Sequence, residues 1–92
     1  MKVTVRVFGD LREHLQKETS VSLPEKETMH GLLRLLGQRF PAFLPKILDE
    51  NGRLRPYVII LSNGRDVKSL DGLDTGLADE DVIAIFPPVA GG

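Results

Sequence analysis

The sequence predicts an α+β domain: a mixed sheet of four to five strands packed on one main helix, with an extended C-terminal tail. Three observations carry this. Two short segments in the N-terminal part, Lys2–Phe8 and Thr19–Leu23, alternate apolar and polar residues, the period of a half-buried strand. A single stretch, Met29, Leu32, Leu33, Leu36 and Phe40, repeats at helical spacing and forms one apolar face. An Asn63-Gly64 pair follows the apolar run Tyr57–Leu61, a strong hairpin signal.

The first strand spans Lys2 to Phe8, with Val3, Val5 and Val7 on one face and Thr4, Arg6 and Phe8 on the other. Gly9-Asp10 closes it. Leu11 to Lys17 is polar and has no clear period. Thr19 to Leu23 alternates again, stops at Pro24 and forms a hairpin with the first strand. Thr28 is the expected N-cap of the helix, although Gly31 stands where a capping-box Glu would be. Pro41 ends the helix near Phe40. Ala42 to Glu50 holds a short turn around Pro45. Tyr57 to Ser62 is apolar on both faces, which predicts a central or partner-facing strand. Arg65 to Leu70 reads as a short strand, Asp71 to Asp81 as turns, and Val82 to Phe86 as the last strand.

One helix cannot cover both faces of such a sheet, so one face stays partly open. Phe86 shares its face with Val82 and Ala84, and Phe8 points away from the three valines. If both rings lie on the open face, they form an apolar patch at the root of the tail. Patches of this kind are partner surfaces. The alternative, one or both rings in the core, depends on register.

Composition narrows the function. The chain has 92 residues, 41% hydrophobic and 27% charged, which is ordinary for one globular domain. A net charge of −1 gives no electrostatic case for nucleic acid or an anionic membrane. The N-terminus alternates and is no signal peptide, and no apolar run is long enough to span a bilayer. A cytoplasmic location is expected. With no cysteine, thiolate catalysis and Cys-based zinc sites are excluded. His14 and His30 lack metal-ligand spacing, and Asp71, Asp74, Asp79, Glu80 and Asp81 lack the calcium-loop pattern, so these read as solvated or structural residues. No phosphate-binding glycine motif is present.

The ending is the most specific feature. Val82–Phe86 leads into Pro87-Pro88-Val89-Ala90-Gly91-Gly92. Two terminal glycines arise by chance in roughly one chain in 200, so they count only with the strand, proline pair and small residues before them. The prolines stop the ladder and stiffen the exit. Side chains then shrink toward the carboxylate, a thread suited to a narrow channel. From Pro87 it reaches about 20 Å beyond a domain of residues 1–86. The Gly92 carboxylate is an anion at neutral pH and a poor electrophile, so chemistry at its carbon needs activation by another protein.

Arg55-Pro56-Tyr57-Val58-Ile59-Ile60-Leu61, Asn63-Gly64-Arg65 and the Phe86-Pro87-Pro88-Val89-Ala90-Gly91-Gly92 ending together resemble the ubiquitin-like sulfur carriers of the MoaD and ThiS type. The nearest likeness is to the MoaD type, the small subunit of molybdopterin synthase. ThiS-type chains are similar but usually shorter and without the proline pair. The longer middle, Phe43 to Arg55, is similar to a subgroup that includes carriers for cysteine biosynthesis. The resemblance implies a ubiquitin-like β-grasp fold and a carrier rather than a stand-alone enzyme. It implies no bound cofactor. A MoeB/ThiF-like adenylyltransferase would use ATP to adenylate Gly92, next to Gly91, and a donor would leave 1-thioglycine there. A MoaE-like large subunit would accept the sulfur for the molybdenum cofactor. Cysteine or thiamine biosynthesis, tRNA thiolation and protein modification through Gly92 are the alternatives. Phe8, Phe86, Pro87, Pro88, Val89 and Ala90 are the expected partner-binding residues.

Overall fold

Alternation at the N-terminus does what it predicts. In a computed structural model that describes residues 1–88, Val3, Val5 and Val7 are fully buried along strand β1, Lys2–Val7. β2, Glu18–Ser22, pairs antiparallel with β1. Three further strands follow: β3, Ile59–Ser62; β4, Arg65–Asp66; and β5, Val82–Phe86. The sheet order is β2-β1-β5-β3-β4. β1 and β5 run parallel, with Val5 beside Ile83 and Val7 beside Ile85, and every other pairing is antiparallel. The result is the expected mixed sheet with its first and last strands joined at the centre.

Helix α1, Met29–Arg39, covers one face of this sheet. Met29, Leu32, Leu33 and Leu36 are buried against the valines and isoleucines. Phe40 closes the helix, its N–H donating to the Leu36 carbonyl at 2.8 Å. Thr28 is the N-cap residue, but its hydroxyl makes no capping bond. The neighbouring Glu27 carboxylate instead accepts from the Thr28 N–H at 3.0 Å. Gly31 leaves room for that carboxylate, since a Cβ there would lie 1.9 Å from Glu27 Oε1. Gly37 likewise admits Leu44 of the short helix α2, Leu44–Ile47.

Several expectations are corrected. The polar segment after β1 is a 3₁₀ helix, Gly9–Glu13, whose Leu11 is fully buried, with Leu15 close behind. The strand expected from Tyr57 begins only at Ile59. Arg55 to Val58 is a turn closed by the Val58 N–H donating to the Arg55 carbonyl at 3.2 Å. Tyr57 has φ +69 there. Pro56 fixes negative φ at the second turn position, so positive φ at the third makes this a type II turn. That position favours Gly, and a bulky side chain there costs roughly 1–3 kcal/mol. β3 lies between β5 and edge strand β4; Ile60 and Ser62 face the core while Ile59 and Leu61 face outward. β4 is only two residues long. The Asp66 carboxylate accepts from the Lys68 N–H at 2.9 Å and starts a 3₁₀ turn, Val67–Ser69, in place of the longer strand expected.

Candidate functional site: the tail root on the open sheet face

The face opposite α1 is lined by the residues that alternate away from the core. Ala84 of β5 lies between Arg6 of β1 and Leu61 of β3, and Phe86 lies beside Ile59. Ile59 and Val82 are 40% and 39% exposed, large values for such side chains. The Phe8 N–H donates to the Ile85 carbonyl at 3.1 Å, which carries the parallel ladder one step past β1. This step sets Phe8 beside Phe86. The two half-buried rings stack with centroids 4.3 Å apart and planes 8° from parallel. The register therefore puts both rings on the open face, and the core alternative does not hold.

The stack is held from two sides. Gly9 turns the chain out of β1 with φ +61, and a Cβ there would come within 2.9 Å of Pro87 Cγ. Glycine is thus required twice at one position, for its dihedral and for the proline beside it. The turn leads into the 3₁₀ helix that carries Arg12. Its Nε donates to the Val7 carbonyl at 3.0 Å, and its guanidinium lies 5.2 Å from the Phe8 ring centroid. A cation over an aromatic face adds about 0.5–1 kcal/mol at an exposed site.

Two shallow depressions flank the stack. One, of about 440 Å³, is lined by Arg6, Phe8, Arg12, Lys17 and Glu18. The other, of about 280 Å³, is lined by Asp10, Pro45, Lys46, Arg55, Pro87 and Pro88. The sole ion pair found among the described residues, Arg6 to Glu18 at 2.8 Å, is solvent-exposed and contributes little.

Of the expected site residues, Phe8, Phe86 and Pro87 come together, and Pro88 follows as an exposed residue. Val89, Ala90, Gly91 and Gly92 lie outside the described residues. Sequence reasoning missed Arg12, whose role depends on the turn after β1, and Ile59, which was read only as part of a two-faced apolar strand. His30 is exposed and His14 half-buried, and no group of metal-ligating side chains forms among the described residues. No helix is long and apolar enough to cross a membrane among the described residues. The backbone N–H of Arg53, with that of Asn51 and the charges of Arg55 and Arg53, holds Asp49 below the usual carboxylate range against an opposing effect of burial.

The chain matches the model of the ThiS family over residues 5–92. It is 37% identical over 93 residues to small archaeal modifier protein 3 of Haloferax volcanii. It is 34% identical over 94 residues to the sulfur carrier protein CysO of Mycobacterium tuberculosis. Both matches cover the whole of each chain. The crystal structure of the modifier SAMP1 from H. volcanii superposes with a TM-score of 0.88 at 27% identity, covering all of both chains. A CysO in the crystal structure of the BexX/CysO complex of Amycolatopsis orientalis gives 0.80 at 29% identity, over 98% of this chain and 99% of that one. With the β-grasp topology and the stacked rings at the tail root, these likenesses place the chain in the ThiS family, among the MoaD/ThiS-type ubiquitin-like sulfur carriers that its ending resembles.

Proposed function

We propose that this chain carries sulfur as a thiocarboxylate on the carbonyl carbon of Gly92 and delivers it to an acceptor enzyme. The observation that carries the reading is the full-length likeness to chains named as a sulfur carrier and as a protein modifier. The tail root supports it. β5 leads directly into Pro87 and Pro88, and the Phe8–Phe86 stack beside that exit offers a partner an apolar seat.

The chemistry runs through other proteins. A carboxylate oxygen of Gly92 attacks the α-phosphorus of ATP held by a MoeB/ThiF-like adenylyltransferase, and pyrophosphate leaves. A sulfide-level nucleophile then attacks the acyl carbon and AMP leaves, so one oxygen is replaced by sulfur. This 92-residue chain supplies the carboxyl group and the docking surface, and acts in the cytoplasm where ATP is available. The acceptor moves away from the molybdopterin synthase that the Phe-Pro-Pro ending led us to expect. The names of the full-length relatives favour a carrier of the CysO kind. The modifier name favours a second reading, in which the activated Gly92 carbonyl is passed to lysine amines of target proteins.

The experiment is intact mass spectrometry after incubation with the activating enzyme, ATP and a sulfur source. Exchange of one oxygen for sulfur is expected. An unchanged mass with a demonstrably active enzyme overturns the reading. Gly-Gly remnants on lysines of captured proteins would support the modifier reading.

A further inference from the structure

Tyr57 is 81% exposed, the most exposed large hydrophobic side chain among the described residues. It stands at the third position of a type II turn, where φ is +69 and glycine is the favoured residue. Its hydroxyl has no hydrogen-bond partner among the described residues. Among the described residues, the other non-glycine residues with positive φ are Lys26, Asn63 and Glu80, all polar and exposed. Asn63 also uses its side chain, which bonds Asp81 and the Val82 N–H. Only at Tyr57 does an unfavourable backbone present an aromatic ring to solvent.

The turn itself is rigid. The Arg55 N–H donates to the Ile47 carbonyl and Arg55 Nε to the Pro45 carbonyl, both at 2.8 Å. Pro56 fixes the next dihedral, and Val58 is fully buried. Tyr57 is thus held from both sides by anchored neighbours.

Its position ties it to the tail. β3 runs antiparallel to β5, and Ile59 pairs with Phe86. The turn therefore stands at the end of the sheet where the tail begins. Arg55 lines the 280 Å³ cleft together with Pro87 and Pro88, alongside Lys46 and a single carboxylate, Asp10. A protein seated over the start of the tail would meet this rim.

We propose that Tyr57 is a docking anchor for the enzyme that activates Gly92. Its ring enters an apolar pocket on that enzyme, and carboxylates around the pocket meet Arg55 and Lys46. The inference rests on the carrier reading above. A tyrosine held in advance on a rigid turn loses little freedom on binding, which is the property of an interface hot spot. The strained backbone is then retained for binding and not for folding.

The test uses the full chain, the MoeB/ThiF-like adenylyltransferase of the same genome and ATP, with pyrophosphate release measured against carrier concentration. Tyr57→Gly is expected to raise KM for the carrier about tenfold or more and to leave kcat within about twofold. Its melting temperature is expected to equal or exceed that of the parent chain. Tyr57→Phe is expected to keep KM within about threefold, because the ring does the docking. An unchanged KM for Tyr57→Gly overturns the inference and leaves the carrier reading intact. A lower melting temperature for both Tyr57→Gly and Tyr57→Asn also overturns it, since the residue would then serve the fold. A parent chain that is never adenylated overturns the carrier reading and this inference with it.

Discussion

The two faces of the sheet both carry apolar side chains, yet they answer to different constraints. The covered face sets Val3, Val5, Val7, Ile60, Ile83 and Ile85 against α1, and each of these is fully buried. The open face sets Phe8, Phe86 and Ile59 toward solvent at the tail end, with Ala84, Leu61 and Val82 further along the strands. The first face removes apolar area from water within the chain, so its residues serve stability. The second keeps apolar area exposed, which is what the proposed docking surface requires. Adjacent residues of one strand can therefore differ completely in what a substitution costs.

The sharpest way to break this comparison lies just beyond both faces. Removing Gly91 and Gly92 is expected to abolish sulfur loading entirely while leaving the unfolding midpoint where it was; intact mass and thermal unfolding read the two halves. A deletion that loads normally would separate the open face from any tail chemistry. On the covered side, Phe43→Ala, which empties the bulkiest fully buried position, is expected to cost about 3–5 kcal/mol in urea unfolding. A loss below 1 kcal/mol would mean that the core does not depend on the helical layer.

On the open side, Phe86→Ala removes one ring of the stack. Stability is expected to fall by only about 1–2 kcal/mol, while KM for the activating enzyme rises about tenfold. The reverse pattern, large destabilisation with normal docking, would make the stack an ordinary part of the core.

Smaller still is a defect under the first hairpin. Thr19 Oγ1 is buried without a partner among the described residues. Thr19→Val keeps the shape and removes the unsatisfied group, so a gain of about 1 kcal/mol is expected in the same unfolding experiment. The smallest effect concerns Asp49, in the loop that follows α2. Its folded pKa lies below the ordinary value of 3.8, so its contribution is fully present above that value. The contribution is lost as pH falls through the lower folded pKa. Asp49→Asn is expected to flatten this acid limb of the stability profile, and an unchanged acid limb would discount the bonds from Arg53 and Asn51.

Much of the scaffold was legible in the residues. Alternating valines marked β1, helical spacing marked α1, and Asn63-Gly64 marked the β3–β4 hairpin, where both residues do have positive φ. Local period reveals an element when its side chains repeat often enough to outweigh the polar residues between them. Leu11, Leu15 and Phe43 escaped for that reason. Leu11 and Leu15 stand in a polar segment and Phe43 in one broken by Pro41 and Pro45, and the burial of each depends on distant partners. Tyr57 escaped because the apolar run from 57 to 61 hid a turn at its first two residues. Pro56 was the available signal.

By itself the sequence determined where β1, β2, α1 and β5 form and that one sheet face would be left uncovered. It could not decide whether Phe8 and Phe86 meet. That outcome depends on the parallel register of β1 and β5, which lie at opposite ends of the chain. Periodicity assigns a side chain to a face, but only the packing of the whole sheet against α1 sets how far one strand slides along another. Sliding β5 by one residue against β1 would have turned Phe86 into the core, away from Phe8, and left no seat at the tail root.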